Sequence, residues 1–151
     1  MAARDQNAGK DARGGIHTGR VRFSTQGDGD VVDLTDGILE VVRSSGVTDG
    51  AVIVFTVGST AAVTTMEYEP GGVHDLRTKL DELVPQQADY EHNRLNHDTN
   101  SHAHMKAAIV GPSETIPLAG GRLETGTWQQ VVLLDFDDRP RQRDVVVLVI
   151  S

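Results

Sequence analysis

The sequence predicts an α+β fold with a mixed, largely antiparallel sheet, on three observations. Short Val-rich runs recur along the chain, one of them, Ala51 to Thr56, bounded by Gly50 and Gly58. Apolar stripes at helical spacing are clear only around Ile38–Val42 and Val73–Val84, and strand-like runs lie on both sides of them. Hydrophobic residues make up 38% and aromatics 4%, so the core rests on Val, Leu, Ile and Ala. Val is the informative one, because β-branched side chains pack well on a pleated surface.

Taken in order, residues 1–14 read as a disordered N-terminal extension, and 15–151 as a single domain of two to three helices. Ile16 to Ser24 carries spaced apolar residues, the pattern of an edge strand, and Gly27-Asp28-Gly29-Asp30 is a turn. Asp33 or Thr35 can cap a helix with Ile38, Val41 and Val42 on one side, ended by Gly46. Ala51 to Thr56 is a continuous apolar run, which predicts a strand buried on both faces. A tight Gly58-Ser59 turn then leads into a strand from Thr60 to Met66. After Gly71-Gly72, the stripe of Val73, Leu76, Leu80, Leu83 and Val84 predicts a helix that Pro85 ends. The chain from Pro85 to Ser101 is polar and belongs at the surface or an interface, and Met105 to Val110 continues a helix begun near Ser101. Thr115–Leu118, Gln130–Phe136 and Asp144–Ile150 are the closing strands, with turns at Gly120-Gly121 and Arg139-Pro140.

A formal net charge of -8 argues against a broad grip on nucleic acid or an anionic membrane. The absence of cysteine removes disulfides, thiolate nucleophiles and Cys-ligated zinc. No apolar run is long enough to span a bilayer, and the N-terminus lacks the apolar segment of a secretory signal. A cytoplasmic protein is the expectation.

Four of the six histidines, His92, His97, His102 and His104, fall between residues 92 and 104, with Asp98 and Asn100 among them and Lys106 just after. Imidazole is the commonest metal ligand and titrates near neutrality, so the stretch reads as a site for a divalent ion, zinc or magnesium, or for an anion. It reads equally well as a His-rich solvated loop. His102 and His104 would point to nearly opposite sides of a regular helix, so they share an ion only if the helix begins after them. Arg139, Arg141 and Arg143 share one face of an extended segment and could cradle phosphate oxygens. The stronger reading for them is a charged edge that discourages strand-on-strand pairing. Trp128, the only tryptophan, reads as a core or interface anchor; with Thr127 and Gln129 beside it, the segment could instead line a pocket for a flat ring. Gly58-Ser59-Thr60 could form a small anion-binding nest.

In order, these pieces resemble the YjbQ family, also described as secondary thiamine-phosphate synthase. The resemblance lies in GSTAAVTTMEYEPG (Gly58 to Gly71), LVPQQADYEHNRLNHDTNSHAHMKAAIVGPSETIP (Leu83 to Pro117) and GRLETGTWQQVVLLDFDDRPRQRDVVVLVI (Gly121 to Ile150). It implies a half-barrel-like fold, a homotrimer and a polar pocket near the subunit interface. That pocket would draw on His92, Asp98, His102, His104 and Lys106, with Thr127, Trp128 and Gln129 from the later strand. The implied activity is a weak synthesis of thiamine phosphate from a thiazole phosphate and a pyrimidine pyrophosphate. Asp98, His102, His104 and Lys106 would be its catalytic residues. Ser59, Thr60, Arg139 and Arg141 would join the Trp128 segment in holding a small phosphorylated metabolite, and His92, His97, His102 and His104 would be metal ligands. The alternatives are a non-catalytic metal- or phosphometabolite-binding trimer and a metal-assisted phosphoester hydrolase. One departure stands out. Many members have His-Thr-Ser or His-Thr-Thr where this chain has Val57-Gly58-Ser59, so a family histidine is missing here.

Overall fold

Two antiparallel sheets divide the strands of this protein, whose computed structural model describes residues 15–151. The expected N-terminal extension lies outside the described residues. The elements are β1 (Ile16–Thr25), β2 (Asp30–Asp33), α1 (Thr35–Ser45), β3 (Gly50–Thr56), β4 (Ala61–Met66) and α2 (Pro70–Leu83). They continue with α3 (Glu91–Asn96), α4 (Ser101–Val110), β5 (Ser113–Ala119), β6 (Arg122–Leu123), β7 (Gln130–Asp135) and β8 (Arg141–Ile150). One sheet has the order β1-β8-β3-β5-β6 and the other β2-β7-β4, and together they curl into a half-barrel. The fold is α+β as expected, with four helices among the described residues rather than two or three. The additional short helix, α3, lies in the polar stretch, where no apolar stripe announces it.

Alternation along β8 shows how the core is built. Arg143, Val145, Val147 and Val149 face inward, while Val146, Leu148 and Ile150 face outward. The inward row meets Val52 and Val54 of β3, Val63 of β4, Val131 and Leu133 of β7, and Ile38 and Val42 of α1. Helix α1 can approach β1 closely because residue 19 is glycine; a Cβ there would sit 2.5 Å from Val41 Cγ1. A second cluster lies on the far face of the smaller sheet, where Val132 and Leu134 pack beneath Leu80 of α2 and Ala103 and Ala107 of α4.

Three local expectations are corrected. Strand β3 is buried on one face only, with Phe55 42% exposed on the other. Its continuous apolar run supplies a core face and an outer face that no helix covers among the described residues. Strands β3 and β4 do not pair across the Gly58-Ser59 turn. β3 pairs with β8 and β5, whereas β4 pairs with β7, so the turn carries the chain from one sheet to the other. Finally, neither Asp33 nor Thr35 is the N-cap of α1. Leu34 holds that place, and Asp33 Oδ1 accepts from the Thr35 N–H at 2.9 Å.

Candidate functional site

Helix α4 decides the arrangement of the histidine segment. His102 and His104 both lie within it, so about 100° per residue sends them to opposite sides. His104 faces the turn between the sheets, where its Nδ1 lies 3.1 Å from the Ser59 carbonyl. A carbonyl can only accept, so in the neutral ring the proton sits on Nδ1 and Nε2 is left bare. His92 of α3 packs edge-on against His104 with ring centroids 4.9 Å apart. The His92 Nδ1 accepts from the Asn96 amide at 3.3 Å, and its Nε2 donates to Asn100 Oδ1 at 3.3 Å. Asn93 joins the two helices, because its Oδ1 accepts the Ser101 N–H at 3.0 Å. Of these asparagines the sequence singled out only Asn100; the spacing of three and four residues that joins it to Asn93 and Asn96 was the available signal.

The remaining residues of the segment do not join this pair. His97 is the exposed left-handed C-cap of α3, with φ 51°, and Asp98 turns its Oδ1 to the Thr99 N–H at 2.8 Å. Among the described residues, no group of three or more His, Asp or Glu is gathered so as to hold a metal ion. His92 has both ring nitrogens engaged, and His102 lies across the helix. One chain therefore does not fit the divalent ion that the histidine spacing suggested.

The arginine run faces carboxylates. Arg143 grips the fully buried Asp135 with Nε and Nη2, each at 2.6 Å, and its Nη2 also reaches Thr60 Oγ1 at 2.8 Å. Thr25 donates to the same carboxylate. Arg141 Nε donates to Asp137 Oδ2 at 2.9 Å, and Thr60 donates to it at 2.8 Å. Burial alone would raise the Asp137 carboxyl. The hydrogen bonds from Thr60 and Arg141, with the charge of Arg141, outweigh it and hold the group below its ordinary value. Arg139 lies 3.6 Å from Asp138 and 3.9 Å from Asp137. Three guanidiniums thus meet three carboxylates, and Thr60 spends its hydroxyl in the same network. Asp135 and Asp137 escaped the sequence reading, although D-F-D opposite R-x-R is a pattern of period two on both sides.

Thr127, Trp128 and Gln129 stand apart. They precede Gln130, at the Met66 end of β7, while Ser59 and Thr60 lie beside the Asp135 end. At about 3.3 Å per residue the separation is roughly 20 Å. Trp128 is 72% exposed, and Gln129 Nε2 donates to Thr65 Oγ1 at 3.0 Å.

Behind α4, a cavity of about 240 Å³ holds His102 and Lys106 in its wall. Lys106 is buried and ion-paired with Asp81, and its ammonium stands 5.8 Å from the centre of the Phe136 ring. Burial, and then the charge of Lys106, pushes the His102 ring below the ordinary imidazole value, so it is neutral at pH 7.

Comparison with known proteins gives a consistent result. The family model described as "UPF0047 protein YjbQ-like" matches residues 19–151. A UPF0047 protein of Archaeoglobus fulgidus is 39% identical over 118 residues, 78% of this chain and 89% of that protein. Bacillus subtilis YugU, also a UPF0047 protein, is 33% identical over 116 residues, 76% of this chain and 84% of its own. A YbjQ-like protein of unknown function from Sulfolobus solfataricus superposes with a TM-score of 0.87 at 30% identity, covering 92% of this chain and 99% of that one. A yjbq/upf0047 family protein from Clostridium acetobutylicum superposes at 0.76 with 34% identity, covering 87% and 99%.

Proposed function

The chain belongs to the YjbQ-like UPF0047 family, and we propose that it binds a small phosphorylated metabolite at the His92–His104 face, with His104 as its acid–base residue. The observation that carries this reading is the fixed tautomer. Ser59 orients the His104 ring so that Nε2 is bare, and the engaged His92 ring holds it from the side. A ring held in one orientation with one free nitrogen is what proton transfer to or from a bound molecule requires.

Transfer of a pyrimidinylmethyl group to a thiazole phosphate, with release of pyrophosphate, is the activity the family resemblance suggests. With Nε2 bare, His104 can accept a proton from the bound pyrimidine, and the pyrophosphate leaves without a proton from this ring. Charge neutralisation is the weak point, because the arginines of the same chain already face Asp135, Asp137 and Asp138. Turnover is accordingly slow, and binding without turnover is the second reading. The arrangement of ligand types offers a metal-assisted phosphoester hydrolase no support within one chain.

A homotrimer belongs to the proposal. Its support is the uncovered outer face of the larger sheet, where Phe55 pairs with Val146 and Ile53 with Leu148. The exposed Trp128 segment, some 20 Å from His104 along its own chain, can reach that site only from a neighbouring copy.

The test supplies hydroxyethylthiazole phosphate and hydroxymethylpyrimidine pyrophosphate with magnesium and follows pyrophosphate. Release by the wild type that falls at least tenfold in His104→Ala supports the transferase reading. Thermal stabilisation by either phosphate compound without release, lost in His104→Ala, supports binding alone. Equal behaviour of wild type and variant in both assays sinks the assignment to His104.

A further inference from the structure

The cavity behind α4 lies outside the His92–His104 face and is built in a way that site does not explain. One wall is α4, where His102 and Lys106 are four residues apart and therefore on one side. Asp81 on α2, Asp28 in the β1–β2 turn and Phe136 line it as well. His102 is only 3% exposed, yet its Nδ1 is buried without a hydrogen-bond partner. His102 and Lys106 are two buried polar side chains that line this cavity.

The turn that carries Asp28 is held firmly. Asp28 has φ 51°, a left-handed conformation uncommon for a residue with a Cβ, though Asp tolerates it better than most. Its N–H donates to the Asp137 carbonyl at 2.6 Å, and its carbonyl accepts from Arg77 of α2 at 2.9 Å. The turn is thereby tied both to the strand end below and to the helix beside it, which fixes the Asp28 backbone beside the cavity.

The charges select the occupant. A simple anion would gain Lys106 but would face Asp28 and Asp81 at close range. A simple cation would gain both carboxylates but would meet a buried ammonium that cannot withdraw. Asp81, in contrast, has a side chain 68% exposed and can swing away from Lys106. We propose that this cavity is a second ligand site for a small zwitterion of the α-amino acid class. Its carboxylate sits on Lys106 in place of Asp81, and its ammonium lies between Asp28 and the displaced Asp81. The His102 ring supplies a neutral wall that does not add a second positive charge. A volume of about 240 Å³ admits an amino acid with a short side chain and excludes a nucleotide.

Isothermal titration of the full chain with glycine, L-alanine, L-serine and L-glutamine tests this, with propionate and ethylamine as single-charge controls. At least one amino acid should bind ten times more tightly than either control. Asp28→Asn keeps a residue suited to the left-handed turn, and Asp81→Asn changes an exposed side chain, so both variants should keep the wild-type circular dichroism. Each should weaken amino-acid binding at least tenfold. No binding by any of the four amino acids overturns the proposal. So does propionate or ethylamine binding as well as they do, or binding that survives both substitutions.

Discussion

Asp135→Ala is the sharpest test of how the site end of the fold is held together. Asp135 is fully buried at the end of β7 and takes both ends of the Arg143 fork at 2.6 Å. It also accepts from Thr25 and from the Asp137 N–H, the latter at 3.0 Å. Arg143 belongs to β8 in the larger sheet and Asp135 to β7 in the smaller, so this pair fastens the two sheets where the Ser59 turn crosses between them. Truncation leaves the guanidinium, with a side chain only 6% exposed, to the carboxylate of Asp137 alone, 3.9 Å from its Nη2. Removing one partner of a buried pair costs about 3–5 kcal/mol. For a domain of this length, each kcal/mol lowers Tm by roughly 2–4 °C, so a fall of roughly 6–20 °C is expected. Urea denaturation and calorimetry measure it. The double variant Asp135→Asn, Arg143→Met removes both charges and should recover more than half of the loss, since the penalty lies in the stranded charge. A loss below about 1 kcal/mol in Asp135→Ala, or a double variant worse than both singles combined, would refute the reasoning.

Three further outcomes are expected. The Asp137 carboxyl is held below its unfolded value of about 3.9, so its stabilisation is present above that pH and is lost as the pH falls through the folded value. Thr60→Val removes one of the bonds responsible and should move the acid-unfolding midpoint upward; an unchanged midpoint contradicts the assignment. Gly19→Ala drives a methyl group into Val41 and should cost about 1–3 kcal/mol, and Val41→Ala in the same chain should be less harmful than the sum of the two singles. Phe55→Lys places a charge on the outer sheet face and should convert the assembly to a 16.3 kDa monomer in sedimentation without lowering its helix or strand content. A wild-type chain that already sediments as a monomer rules out the trimer.

Much of the fold is legible in the residues themselves. The period-two rows of the closing strands, the helical stripe ended by Pro85 and the glycine at position 46, which adopts φ 70° at the end of α1, depend on neighbours within one element. The outward face of β3 was not legible, because an uninterrupted apolar run looks the same whether its second face meets a helix or open surface. Nor could the partner of β4 be read locally, since a Gly-Ser turn closes a hairpin and crosses between sheets with equal ease.

The site divides along the same line. Sequence by itself determined that His92 to His104 concentrates imidazoles, and that His102 and His104 diverge if both are helical, because helix geometry depends only on spacing. The structure decided between the two starts the sequence left open for that helix, placing both histidines inside it, and it alone decided that His104 meets His92 and Ser59 and that His102 lines a separate cavity with Lys106. It also decided that the arginines are spent on Asp135, Asp137 and Asp138. The physical reason is that a side chain's chemistry is set by what faces it, and these partners range from the adjacent residue, Asp138 beside Arg139, to Thr60, 83 residues before Arg143.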